Sequence, residues 1–236
     1  MEDFFSRSEA LLGEKAMDSL RTKRVIIFGV GGVGSWCAEA LVRTGLVHLT
    51  IVDDDVVQAS NVNRQLPATR ETLGRPKVEV LKQRLLTINP EASIEGLQQR
   101  YNGQMTNGKW ETGNEAFPLE GYDYIIDAID DVAAKTDLII RASRVRGAKV
   151  FSSMGAALRL DPTQVRVAEF WDVKGDALAR ALRERMKRTG VKSAKKVRCV
   201  YSLEQAQRCE ARGSLMQVTA VFGCTLSALV IKDMMC

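Results

Sequence analysis

The segment Gly29-Val30-Gly31-Gly32-Val33-Gly34 follows directly on Val25-Ile26-Ile27-Phe28, and no other stretch narrows the choice of fold as far. A short β-branched run reads as a buried parallel strand, here residues 24 to 28. It opens into glycines with GxGxxG spacing at Gly29, Gly31 and Gly34, and then into a helix-like stretch, Ser35 to Thr44, that stops at Gly45. A second apolar strand, Val47 to Val52, is closed by Asp53-Asp54-Asp55. Strand, glycine turn, helix and strand make one βαβ unit. The physics of such a turn is tight bending, close approach of backbone to phosphate, and helix N-terminal N–H groups aimed at an anion. The spacing predicts a nucleotide site without naming the nucleotide. Asp53, nineteen residues after Gly34, is placed to bond a ribose hydroxyl.

The alternation continues. Gly74 to Ile88 reads as a helix opened by Arg75-Pro76 and stopped by Asn89-Pro90, and Ala92 to Gln98 as a strand. Residues 102 to 121 read as a polar loop region. Tyr122 to Asp127 is a strand, Ala133 to Arg146 a helix and Ala148 to Ser152 a strand. The expected class is α/β: a doubly wound, Rossmann-like, mostly parallel sheet. After residue 155 come strands at Gln164 to Phe170 and Val197 to Ser202, a helix at Asp176 to Arg188, a basic loop from Gly190 to Lys196, and a buried terminal helix, Met216 to Met235. These are additions to one domain spanning residues 1–236: an N-terminal helical arm (1–22), a nucleotide-binding part (23–155) and a substrate-side part (156–236).

Composition excludes several classes. With 45% hydrophobic and 27% charged residues, the 236-residue chain is neither disordered nor fibrous. Its longest apolar stretch, Val218 to Ile231, has 14 residues, short of the roughly 20 that a membrane span needs. No leader pattern is visible at MEDFFSRSEA, and five cysteines without a CxxC pair suit a reducing cytoplasm. Cys37, Cys199 and Cys224 are expected in the core, and the single histidine, His48, has a structural or surface place at the start of a strand. The net charge of +5 is uneven. Residues 174 to 198 hold ten basic residues against Asp176 and Glu184, a local +8 that leaves the rest at −3. Such an excess points to a polyanion partner, or simply to a solvated helix face and loop. Leu178, Leu182 and Met186 form an apolar stripe, which would turn the cations between them outward. Trp171 just before this segment is either a base-stacking ring or a half-buried aromatic.

The residues beyond the second strand separate the nucleotides. Arg64 and Lys77 come from the stretch Asp53 to Gln65 and from Gly74-Arg75-Pro76-Lys77. A nicotinamide site needs no such cations, whereas a triphosphate does, because several negative charges must be held while an anionic nucleophile approaches. A non-catalytic nucleotide or NAD module would explain Gly29 to Gly34 and Asp53 but leave Arg64, Lys77 and Asp130 idle.

With these residues in view, the chain resembles the ubiquitin-activating-enzyme-like adenylation family. The likeness is carried by the GxGGxG loop, the stretch from Asp53 through Ser60-Asn61 to Arg64-Gln65, the Lys77 helix start, Asn89-Pro90, and Asp127-Ala128-Ile129-Asp130. The resemblance implies ATP contacts at Gly29, Gly31, Gly32, Gly34, Asp53, Asp55, Asn61, Arg64, Gln65, Lys77 and Asp130. It assigns magnesium to Asp130, and it implies a homodimer in which Arg7 reaches the partner's ATP site. Arg64, Lys77, Asp130 and Arg7 are the implied catalytic set. Where the family has Asn after the metal-side acid, this chain has Asp131. The sulphur-carrier activators of the family carry zinc-binding CxxC pairs, so the chain is expected to hold no structural zinc. Ser152-Ser153-Met154-Gly155-Ala156-Ala157, Asp161-Pro162-Thr163, Leu182 to Lys187, Cys199 to Ser202 and Phe222-Gly223 resemble instead the subgroup acting on threonylcarbamoyladenosine in tRNA. That subgroup's cysteine before the last helix has no clear counterpart, Cys209 being out of register.

The implied reaction is ATP-dependent dehydration through a carboxyl-adenylate, with the alternative of adenylating the C-terminal glycine of a ubiquitin-like sulphur carrier. For the tRNA reading, Arg183, Arg185, Lys187, Arg188, Lys192, Lys195 and Lys196 would grip phosphates. Sulphur-transfer proteins of a cysteine desulfurase system are a further implied partner.

Overall fold

The computed structural model describes residues 4–102, 105–106, 109–110, 117–191, 196–209 and 213–235. Strand β1 (Arg24–Phe28) alternates between two cores, Val25 and Ile27 entering one and Ile26 and Phe28 the other. A strand apolar on both faces must be covered on both, and each buried side chain of this size stabilises the fold by about 1.5–3 kcal/mol. One cover is α3 (Gly34–Thr44), α4 (Lys77–Ile88) and α7 (Met216–Met234); the other is α5 (Val132–Ala142) and α6 (Ala177–Thr189).

Between the covers, β1 pairs in parallel with β2 (His48–Val52) and with β6 (Tyr124–Asp127). β2 pairs with β3 (Ser93–Leu97), β6 with β7 (Lys149–Ser153) and β7 with β9 (Val197–Ser202), again all parallel. β8 (Val165–Glu169) closes one edge antiparallel to β9. The short strands β4 (Met105–Thr106) and β5 (Lys109–Trp110) pair apart from the main sheet. The order 3-2-1-6-7-9-8 is the doubly wound, mostly parallel α/β sheet that the alternation predicts, with its additions at the 7-9-8 edge. The chain winds outward from β1 to β3 and returns at β6, so connections diverge at the carboxyl ends of β1 and β6. A crevice opens at such a switch point.

Boundaries differ from the sequence reading by a few residues, for local reasons. α4 begins at Lys77 because Pro76 is extended (φ −56°, ψ 129°) and stands just outside the helix. Asp176 is the N-cap of α6, its carboxylate accepting from Ala179 N, and not part of the helix. Cys37 and Cys199 are buried as expected, and burial pushes both thiols up. Cys224 is exposed, a correction to its expected core place: on α7 it lies on the side away from the buried Phe222 and Leu226. His48 is exposed at the start of β2. Most of the basic loop from 190 to 196, with Lys192 and Lys195, lies outside the described residues, as does much of 102 to 121.

Two helical regions lie outside the alternating pattern. Among the described residues, α7 is the one helix long and apolar enough to cross a membrane, yet Val218, Phe222, Leu226 and Val230 on it are fully buried against the sheet. A Cβ on its Gly223 would lie 2.4 Å from Val33 O, so α7 meets the start of α3 with no side chain between. At the other end of the chain, α2 (Glu14–Thr22) is anchored by Met17 and Leu20, whereas α1 (Ser6–Leu12) buries nothing. Phe4 and Leu11 beside Arg7 are 75% and 81% exposed.

Candidate active site

The turn after β1 is built from contacts only glycine allows. Gly29 has φ +85°, donates to Val52 O at 2.8 Å, and would place a Cβ 2.8 Å from Ala128 O. A Cβ on Gly34 would fall 1.8 Å from Gly29 O. The loop therefore closes on itself and against the end of β6 at once. No side chain caps the start of α3, an eleven-residue helix whose dipole favours an anion there. Gly31 and Gly32 leave a cradle: added Cβ atoms would meet Gln65 at 3.5 Å, and Thr219 and Arg64 at 3.2 and 3.3 Å.

Asp53, at the end of β2, ties this loop down. Its Oδ2 accepts from Val30 N at 2.8 Å and its Oδ1 from Asp55 N at 3.0 Å. Burial raises its pKa against the pull of nearby Lys77. The Lys77 side chain is 4% exposed and its Nζ lies 2.6 Å from Oδ2 of the exposed Asp55. Arg64 donates to Ser60 O and Asn63 Oδ1, while Trp36 holds Arg64 O from α3. The helix starts that carry Gly34 and Lys77 are braced farther along by Glu39 on α3. Glu39 receives Arg84 of α4 at 2.6 and 3.0 Å and Arg43 at 2.9 Å, which lowers its pKa in spite of burial.

Across the crevice, the turn after β6 is set by a fully buried ion pair. Lys135 Nζ lies 2.8 Å from Asp127 Oδ2 and donates to Ile129 O; Ser152 Oγ and Ile129 N also donate to Asp127. With its lone pairs and protons satisfied, such a pair fixes geometry. It holds residues 127–129, and Asp130 stands next, exposed in the crevice. Asp131, the departure from the family pattern, caps α5 by accepting from Ala134 N at 2.8 Å.

The crevice has a volume of about 530 Å³, within the usual range for a small-molecule site. Gly29, Gly31, Gly32, Asp53, Asp55, Arg64, Gln65, Lys77 and Asp130 line it. Gly34 and Asn61 stand behind the lining: Gly34 packs under Gly29, and the buried Asn61 accepts from Gln58 N through its side chain. Arg7 is on the exposed arm. Among the described residues the one grouping of three acid ligand atoms within 4.8 Å is Asp53, Asp54 and Asp55; it does not include Asp130.

The cations of α6 are not alike. Arg183 is turned inward, donating to Phe170 O and Val173 O at 2.7 and 2.6 Å with its guanidinium over the Phe170 ring. This corrects the expectation that every cation between the stripe residues faces out: two carbonyls and a ring lie within its reach. Arg185 is half-buried, whereas Lys187, Arg188 and Lys196 are exposed. Trp171 is half-buried, edge-on to Phe170. A second hollow, about 570 Å³, is lined by Lys174, Arg180 and Arg183 and shares Asp176, Ala177 and Ala206 with the crevice. Sequence reasoning missed the far wall of the crevice, Met154 to Arg159 with Asp176. Its one signal is a lone arginine in the apolar run Ala156-Ala157-Leu158-Arg159-Leu160.

The profile of the ThiF family matches residues 5–235. The chain is 38% identical over 200 residues to the tRNA threonylcarbamoyladenosine dehydratase of Bacillus subtilis, covering 85% of this chain and 74% of that protein. It is 35% identical to that of Escherichia coli, covering 92% and 79%. Its fold is similar to the crystal structure of the Escherichia coli enzyme in complex with ATP, with a TM-score of 0.87 and 36% identity over 98% of this chain and 93% of that one.

Proposed function

The chain belongs to the ThiF family, and from that premise we propose that it uses ATP to dehydrate threonylcarbamoyladenosine in tRNA, closing a ring through a carboxyl-adenylate. The observation that carries the reading is a single crevice with a glycine cradle and two cations on one wall and Asp130 on the other. A hydroxide is a poor leaving group, so the carboxylate must first be activated. Its oxygen attacks the α-phosphorus, and the bond to pyrophosphate breaks. The urea of the same group then attacks the activated carbonyl, loses a proton, and AMP departs with the former carboxylate oxygen. Ring closure is intramolecular, for which effective molarities reach about 10⁵ M or more. No protein nucleophile is required.

Two anions meet in the first step, so charge must be neutralised where it develops. Gly31 and Gly32 let phosphate approach the backbone at the start of α3. Lys77 waits on Asp55, an acid 64% exposed and free to turn to water when a phosphate replaces it. Arg64 contributes from the facing loop. Asp130 would hold a magnesium ion there, whose charge would add to this neutralisation. Asp53 keeps its two backbone donors and offers its remaining lone pairs to a ribose hydroxyl.

Arg7 would complete the ATP site of a second copy. The bare arm, with Phe4 and Leu11 largely in solvent, supports a homodimer, and a cytoplasmic place follows from the tRNA substrate proposed. The exposed cations of α6 would meet tRNA phosphates, and a sulphur-transfer partner is a further proposal from resemblance alone. The test is mass spectrometry of nucleosides from modified tRNA incubated with the protein and ATP. A product lighter by one water, with stoichiometric AMP and none in EDTA, is expected. Unchanged nucleoside beside ATP consumption would overturn the substrate.

A further inference from the structure

Arg159 is 4% exposed and lines the crevice, yet its Nε and Nη1 have no hydrogen-bond partner. The acid nearest to it, Asp176, has Oδ2 3.8 Å from Nη2, too far for a hydrogen bond. Asp176 is already occupied, accepting from Ala179 N at 2.9 Å and Gly155 N at 3.1 Å. An arginine buried with idle donors is costly, unless an acceptor arrives to meet them.

The backbone holds it there under strain. Leu158 has φ +61°, a left-handed conformation that side chains rarely adopt, and it is pinned from both sides. Its N–H donates to Gly213 O at 2.9 Å and its carbonyl accepts from Gln207 N at 2.8 Å. The chain is thus bent at the residue before Arg159, which turns the next side chain into the crevice.

We propose that Arg159 binds the carboxylate of the tRNA-borne group and presents it to the α-phosphorus. The inference rests on the reaction proposed above and assigns its second anion. The ATP phosphates already have the glycine cradle, Arg64 and Lys77, all from residues 29–77. Arg159 comes from the opposite part of the lining, beside Asp176, where the crevice joins the hollow bounded by Lys174 and Arg180. An RNA lying on those cations would project its modified base through that junction. A planar guanidinium suits a carboxylate, which it can grip at both oxygens through Nη2 together with Nε or Nη1.

The experiment compares wild type with Arg159→Gln, measuring ATP affinity by calorimetry and AMP formation against modified tRNA concentration. Expected are unchanged ATP affinity, a melting temperature no lower than that of wild type, and kcat/KM for modified tRNA lowered about 10²- to 10³-fold, with binding of unmodified tRNA unaffected. Should the Gln variant not fold, Arg159→Lys keeps the charge without the fork; a smaller fall in kcat/KM for modified tRNA is then expected, at unchanged ATP affinity. ATP affinity falling in step with activity would place Arg159 on the phosphates and overturn the proposal, as would wild-type kinetics in either folded variant. A wild type that makes no AMP from modified tRNA refutes the reaction itself, and the inference with it. An inert substitution beside an active wild type refutes only the arginine's role.

Discussion

The two walls of the crevice are made by different means. The wall from residues 29 to 77 is set by its backbone: Gly29 on Val52 and Ala128, Gly34 under Gly29, and the N–H groups of Val30 and Asp55 held by the Asp53 carboxylate. The wall from residues 154 to 178 is made of side chains with unequal partners, an arginine with idle donors beside an aspartate that already accepts from two backbone N–H groups. Phosphate is common to every nucleotide and can be met by a fixed cradle. A particular carboxylate on a particular base needs groups kept ready but unsatisfied. The first wall therefore tolerates little change in shape, and the second little change in charge.

The severest test of this contrast is Gly34→Ala. A Cβ 1.8 Å from Gly29 O forces the loop apart, and loss of detectable ATP binding is expected in calorimetry, with a lowered melting temperature. Next come Arg64→Ala and Asp130→Ala. Each should reduce AMP formation about 10²- to 10³-fold while circular dichroism stays that of wild type; near-normal turnover would remove the residue from the mechanism.

The first wall is legible in the sequence because its parts are close in the chain and restricted in residue type. Glycines at fixed spacing, an acid at a strand end and a lysine at a helix start each have a local cause. The second wall is not legible, because its causes are distant. Arg159 is buried by Asp176, 17 positions on, and aimed by a bond from Leu158 to Gly213. Arg183 illustrates the same limit: helical periodicity puts it outside the Leu178–Leu182–Met186 stripe, but the carbonyls of Phe170 and Val173 draw it in. Resemblance places Asn61 among the ATP contacts, and its side chain also shapes the loop that carries Arg64.

Smaller effects refine the contrast between the walls. Glu39→Gln removes the brace between α3 and α4 and should destabilise the protein by about 1–2 kcal/mol at neutral pH. Glu39 has a folded pKa below its unfolded one. Its contribution is therefore full above the ordinary carboxylate range and is lost as pH falls through the lowered folded value. Denaturant titrations of wild type and variant should converge there. A difference that persisted in acid would point to packing instead of charge. Smallest is the effect of neutralising the exposed Lys187 and Arg188. Each phosphate left without its cation should reduce the salt slope of log K for tRNA by about 0.7–0.9, at unchanged stability and ATP affinity. Arg183→Gln, by contrast, should lower the melting temperature first. Equal slopes for wild type and the Lys187 and Arg188 variant would make that helix a solvated face.

The contact of Gly223 with Val33 spans almost the whole chain. The glycine loop is backed by α7, whose Thr219 also stands over Gly32, about 190 residues later. On a ribosome adding about 5–20 residues each second, the loop emerges roughly 10–40 s before the helix that supports it. A half-made chain therefore has the sequence for gripping a nucleotide without the architecture. The support for the glycine loop reaches it from the part of the chain made about 190 residues later.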